Sequence, residues 1–96
     1  MAGLARATDV WRRRDDVLSR ETPRSRLVLT PTAPAPLVLE GAAAFVWDEL
    51  AVARTRDQLV ASLARRLGQP RDDVRPHVLT ACSALSEQGA IVGGDA

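Results

Sequence analysis

The sequence lacks several residue types that would point to specific chemistry. Its 96 residues include no lysine, no tyrosine and a single cysteine. One cysteine, Cys82, cannot form an internal disulfide or a multi-cysteine metal site. No apolar run is long enough to cross a membrane, and the N-terminus has no apolar segment of the kind found in secretory signals. We therefore expect a cytoplasmic protein.

The charge balance and the length exclude further classes. The chain has 13 arginines and 12 acidic residues, for a net charge of +1. Proteins that bind nucleic acid through its phosphates usually carry a clear basic excess. A chain of this length is one domain, too small for a fully enclosed catalytic cleft. His77 stands alone, and no catalytic triad or phosphate loop is visible. The sequence predicts no enzyme activity, no metal and no cofactor.

Three short segments in the first half show strand spacing. Residues 17–21 and 26–30 flank the turn signal TPRS, which predicts a hairpin with Leu27 and Leu29 on one face. The proline-rich connection PTAPAP then leads to a third strand, in which Leu37 and Leu39 lie on the same side. Pro36 has no backbone N–H, so this third strand is expected at an edge of the sheet.

From Gly41 onward the spacing becomes helical. Three apolar stripes at intervals of three and four residues predict three helices. Thr55 and Gln58 form a capping box at the start of the second helix, and Gly68 suits its left-handed end. Pro76 favours a start of the third helix near Asp72 or Asp73, or a bend. The stripes comprise Ala43, Val46, Trp47 and Leu50, then Leu59, Val60, Leu63, Ala64 and Leu67, then Val74, Val78, Ala81, Cys82 and Leu85.

These elements predict an α+β fold, a winged helix-turn-helix-like arrangement of three short antiparallel strands followed by three helices. Residues 90–92 are expected to close the core. The domain is expected to span residues 16–93. Residues 1–15 are expected to form a flexible arm in which Val10 and Trp11 dock locally, and residues 94–96 a frayed end.

Three segments carry a family resemblance over residues 17–92. They are LVLEGAAAFVWDEL, RTRDQLVASLARRLG and DDVRPHVLTACSALSEQGAIV. In the order and spacing of these three segments, the sequence resembles the PqqD-like family, also called RiPP recognition elements. These are small winged-helix domains that bind the leader segment of ribosomally synthesised precursor peptides.

The resemblance implies a non-catalytic peptide chaperone. A leader peptide would add as an antiparallel strand to the edge of the third strand, beside the third helix, and reach a separate modifying enzyme such as a radical SAM maturase or a leader peptidase. Carried onto this chain, the resemblance implies an edge at Leu37, Val38, Leu39 and Glu40, and a wall of Arg75, Val78, Leu79 and Cys82.

Two other functions remain open at this point. One is a winged-helix DNA-binding regulator, although acidic residues such as Asp72 and Asp73 suit a recognition helix poorly. The other is a protein-interaction domain detached from a larger enzyme. The free edge would also allow a homodimer, because an unpaired strand can pair with a second copy of itself.

Overall fold

The computed structural model describes residues 10–32 and 34–93. This part of the chain contains six strands in two three-stranded sheets and three helices. In chain order the elements are β1 (Val10–Arg13), β2 (Leu18–Glu21), β3 (Arg26–Leu29), β4 (Leu37–Leu39), α1 (Gly41–Glu49), β5 (Arg54–Thr55), α2 (Arg56–Leu67), α3 (Arg71–Glu87) and β6 (Ile91–Gly93). The predicted α+β, winged-helix-like class is confirmed.

The first sheet, here called the hairpin sheet, contains the three predicted strands in the order β2-β3-β4. All neighbours are antiparallel, with Leu27 of β3 opposite Val38 of β4. Val28 and Leu39 point to the inner face and are buried in the core. The alternation of leucines predicted the strands and, in β4, the buried face; in β3 the face that carries Leu27 and Leu29 is the outer one, since Leu29 is 42% exposed while Val28 is buried.

The second sheet, here called the closing sheet, was not predicted. Its order is β5-β1-β6, so β1 is the central strand, and Trp11 in it is only 8% exposed. The prediction of an arm without regular structure is thus wrong for Val10–Arg13. These residues pair with segments about 40 and 80 positions away, as in the Trp11 pairs with Arg54 and Gly93, and no local pattern records such pairing. Residues 1–9 of the predicted arm and residues 94–96, the predicted frayed end, lie outside the described residues.

The first two helices follow the predicted signals. Gln58 N–H donates to Thr55 Oγ1 over 3.1 Å, and Thr55 N–H donates to Gln58 Oε1 over 2.8 Å, which confirms the capping box. Gly68 ends α2 with φ of 65°, a conformation that favours glycine. Two stripe residues are less buried than predicted: Ala43 of α1 is half-buried, and Leu67, the last residue of α2, is 52% exposed.

The third helix begins one or two residues before the predicted start near Asp72 or Asp73, and the alternative of a bend at Pro76 stays a prediction. It starts at Arg71, with Pro70 as the N-cap, so Pro76 lies in its second turn. A proline there cannot donate to the carbonyl of Asp72, which loses its intrahelical partner. The predicted stripe is nevertheless fully buried, and α3 packs against both α1 and α2. Among the described residues, no helix is both long and apolar enough to span a membrane.

Candidate functional site

The outer side of β4 is a free edge whose polar groups can be located from the hairpin. Thr22 N–H donates to Ser25 carbonyl O over 3.0 Å, which makes these two residues a hydrogen-bonded pair at the turn. In an antiparallel ladder such pairs alternate with non-hydrogen-bonded ones. Two residues along each strand, Arg20 and Leu27 are therefore also a hydrogen-bonded pair, and the backbone groups of Leu27 point toward β2. Val38 lies opposite Leu27 on the other side of β3, so its own N–H and C=O point away from the sheet.

The edge continues for two residues beyond Val38. Glu40 has the same orientation as Val38 and is still extended, with φ of −139° and ψ of 163°. Its N–H faces the free side, whereas its carbonyl already accepts from Ala44 N–H at 3.5 Å. Pro36 also has this orientation, which places its missing N–H where no ladder bond is lost. Within residues 10–32 and 34–93, no strand pairs with this side of β4.

The side chains of β4 divide between the core and an apolar outer face. Leu39 is buried and Leu37 is half-buried, whereas Val38 is 62% exposed. Val38 shares its outer face with Leu27, and the neighbouring row adds Leu18 and Leu29, both exposed. A strand added to β4 would thus have one side chain row facing the protein interior and the other continuing this apolar face.

Two observations relate the ends of β4 to the ends of α3. Gly41, just after β4, and His77, in the N-terminal half of α3, line the same cleft. At the other end, Thr32 precedes β4 and lies against Gly89, where a Cβ would stand 3.8 Å from Thr32 Oγ1. The chain thus enters β4 from the side of the C-terminal end of α3 and leaves it on the side of the N-terminal half of α3.

The structure separates the four expected wall residues of α3 into two pairs. Val78 is 0% exposed and Cys82 is 1% exposed, so both belong to the core. The expectation that they line an accessible groove is corrected, since they lie on the helix face that packs the fold together. Leu79 is half-buried, and Arg75 is partly exposed and 3.4 Å from an Asp57 carboxylate oxygen in α2.

Burial also determines the chemistry of the single thiol. Desolvation raises the pKa of Cys82 to about 11, and the charge of Arg56 opposes this rise. The thiol is therefore protonated at neutral pH, and a protonated thiol is a poor nucleophile. No group of His, Cys, Asp or Glu in the described part of the chain is arranged to hold a metal ion.

Sequence reasoning missed a second concave feature, which we call the basic cleft. It has a volume of about 500 Å³ and lies among the β2–β3 turn, α1, the end of α2 and His77. Its apolar surface includes Leu67, which the sequence pattern placed in the buried stripe, so no signal in the sequence pointed to the cleft. Its lining includes the apolar side chains of Phe45, Leu63 and Leu67 and the basic side chains of Arg24, Arg66 and His77.

The charges of the basic cleft are unequally neutralised. Asp48 accepts two hydrogen bonds from Arg26, at 2.9 and 2.8 Å. Glu49 accepts from Ser62 Oγ at 2.8 Å and lies 3.6 Å from Arg54 Nε. Both carboxylates are thus paired.

The basic side chains that remain have no such partner. Arg66 lies over the Phe45 ring at 5.6 Å, and Arg24 has no hydrogen bond or ion pair to any residue that the structure describes. An approaching peptide would therefore meet unpaired positive charge beside an apolar surface.

Comparison with solved structures identifies two similar folds. TbiB1, solved in complex with the TbiA(beta) leader peptide, aligns with a TM-score of 0.75 and 16% identity over 85% of this chain and 95% of that one. The PqqD truncation of Methylobacterium extorquens PqqCD, described as a functional and stand-alone RiPP recognition element, aligns with a TM-score of 0.71 and 17% identity over 90% and 92%. At these identities the likeness establishes the fold alone.

Comparison of sequences gives the family. No curated protein sequence matches the chain. The model of the family described as coenzyme PQQ synthesis protein D matches residues 27–91, which include most of β3, all of β4 and all three helices. Neither this match nor the two structures support the DNA-binding alternative. The chain belongs to the PqqD family, as the resemblance in its sequence implied.

Proposed function

We propose that this protein is a RiPP recognition element, a non-catalytic domain that binds the leader segment of a ribosomally synthesised precursor and presents it to a separate modifying enzyme. The observation that carries the proposal is the free edge of β4 in a PqqD-family fold, with Val38 N–H and C=O pointing outward. One of the two similar structures holds a leader peptide, and its fold is the one found here. Since the precursor is made on ribosomes, we expect binding to occur in the cytoplasm.

The proposed site consists of residues 37–40 with Arg75 and Leu79 on the neighbouring helix. Val78 and Cys82 support it from the core. The peptide would run antiparallel to β4 and pair its backbone with Val38 and with the N–H of Glu40. This is strand addition, in which the ladder orients the peptide and pockets for alternate side chains select it.

The strand ladder by itself cannot give tight binding. Val38 and Glu40 offer about three hydrogen bonds, each contributing about 0.5–1.5 kcal/mol net. Micromolar affinity requires about 8 kcal/mol. Side chain contacts must therefore supply more than half of the binding free energy, and the leader sequence, rather than any extended peptide, would determine affinity.

The test is a titration of the protein with fluorescein-labelled peptides synthesised from the short reading frames beside its gene. We expect one of them to bind with a dissociation constant at or below tens of micromolar. The same peptide with the nitrogen opposite Val38 methylated should bind more weakly, because methylation removes one ladder donor. If no peptide binds while circular dichroism shows a folded protein, the proposal is wrong.

The same material discriminates among the alternatives. A salt-dependent gel shift on promoter DNA would instead support a regulator. Co-purification of a large partner with no peptide would support an interaction domain. To choose between a radical SAM maturase and a leader peptidase as partner, the peptide-loaded protein is mixed with each enzyme, and the partner is the one that it retains. Sedimentation with and without peptide tests for a homodimer that forms through the same edge.

A further inference from the structure

The basic cleft opens where the edge of β4 ends. Gly41, which follows the last extended residue Glu40, is part of its wall, as is His77. A peptide paired with β4 would therefore reach the cleft after only a few residues. The cleft is separate from the contacts with Arg75 and Leu79 considered above, since neither of these residues lines it.

The direction of the added strand determines which part of a peptide arrives there. In an antiparallel arrangement the N-terminal side of the peptide lies beside the C-terminal end of β4. Residues upstream of the paired segment thus pass Glu40 and meet Gly41. Residues downstream leave past Leu37 and Pro36, toward Thr32 and the end of α3. The downstream side is free to continue to a modifying enzyme.

The chemistry of the cleft specifies what those upstream residues should be. Phe45, Leu63 and Leu67 provide an apolar surface, and a bound side chain can pack over Leu67 because Leu67 is exposed. Arg24 and Arg66 supply positive charge that no described carboxylate neutralises, because Asp48 and Glu49 are already paired. An apolar side chain next to an acidic one matches this arrangement, whereas a basic side chain is repelled.

We propose that the basic cleft binds the residues immediately N-terminal to the strand-forming segment of the leader, and that it selects an apolar residue accompanied by aspartate or glutamate. The identity of the occupant rests on the proposed function. The proposal also supplies part of the side chain contacts that the short ladder lacks. An acidic upstream segment is then a specificity element distinct from the pairing with β4.

The experiment is a selection from a phage-displayed library of random peptides on three immobilised proteins: the unchanged chain, the Arg24→Glu, Arg66→Glu double variant, and the Arg20→Glu control. Arg20 is exposed on β2 and does not line the basic cleft. We expect acidic residues to be enriched upstream of an apolar extended segment on the unchanged chain and the control. On the double variant the upstream preference should be lost or become basic.

Affinities of one selected peptide then quantify the effect. The double variant should bind it about tenfold more weakly than the unchanged chain, and replacement of the upstream acid by arginine should restore binding. A peptide shortened to the paired segment should bind all three proteins equally. Identical upstream preferences on all three proteins would overturn this inference and leave strand addition intact, whereas enrichment of no peptide on any of them would defeat the proposed function as well.

Discussion

The two sheets are made of similar strands but occupy different positions in the chain and in the protein. The hairpin sheet is local, because its three strands lie within residues 18–39. The closing sheet joins residues near both ends of the described chain to the two-residue strand before α2. The first leaves β4 with an open edge, and the second ties distant segments together around Trp11. The contrast suggests that one sheet provides a binding edge and the other provides stability.

The side chains support this division. Arg13 of the closing sheet donates two hydrogen bonds to the Trp47 carbonyl, at 3.0 and 2.6 Å, and its guanidinium lies 4.2 Å from the centre of the Trp47 ring. Burial lowers the pKa of Arg13, partly offset by Asp48 and Glu21. In the hairpin sheet, by contrast, β2 is exposed throughout and Val38 is largely exposed. A mutation in one sheet should therefore not mimic a mutation in the other.

The largest expected effect is on the closing sheet. Arg13→Ala removes both hydrogen bonds to Trp47 and the cation–π contact, and we expect a loss of about 2 to 3 kcal/mol in the free energy of unfolding. Arg12→Ala is the control, because Arg12 is exposed. Urea unfolding followed by tryptophan fluorescence measures both. Equal stability of the two variants would contradict the role assigned to β1.

A smaller effect on the free energy of unfolding is expected from Cys82 in the core. Because the pKa of Cys82 is raised from 9.0 to about 11 in the fold, the unfolded chain loses this proton first as the pH rises. Stability conferred by the neutral thiol is thus complete below pH 9.0 and is lost between 9.0 and about 11. The loss is on the order of 2 kcal/mol.

This measurement is unusually clean because the chain has no lysine and no tyrosine. Unfolding free energies of the protein and of Cys82→Ala, measured across this range, should therefore converge as the pH rises. Parallel curves would show that the thiol is not buried as described.

The smallest expected effect is on peptide affinity and comes from the free edge of β4. Val38→Pro removes an N–H that makes no bond within the sheet, so the fold should tolerate it while peptide affinity falls about tenfold. Ser19→Pro is the matched control, because Ser19 points its N–H away from the sheet on the opposite edge, β2. Equal affinities of the two variants, with unfolding curves unchanged, would place the peptide elsewhere.

Sequence patterns predicted the elements that depend on neighbours in the chain. The leucine alternation around Val38, the Thr55–Gln58 capping box and the glycine after α2 each act within a few residues, and all three appear in the structure. The start of α3 was misplaced because Pro76 is tolerated in its second turn. Of the candidate site, the edge residues could be named from the sequence, but the accessible part of the helix could not.

What the sequence alone determined is the order of strands and helices, the open-edge character marked by Pro36 and the family. Each of these depends on short-range backbone preferences and side chain periodicity. Only the tertiary structure decided that β1 closes a second sheet, that Val78 and Cys82 are core rather than wall, and that Arg24 and Arg66 meet at one cleft. Those outcomes depend on contacts between segments far apart in the chain, and burial and charge pairing are properties of such contacts rather than of any local pattern.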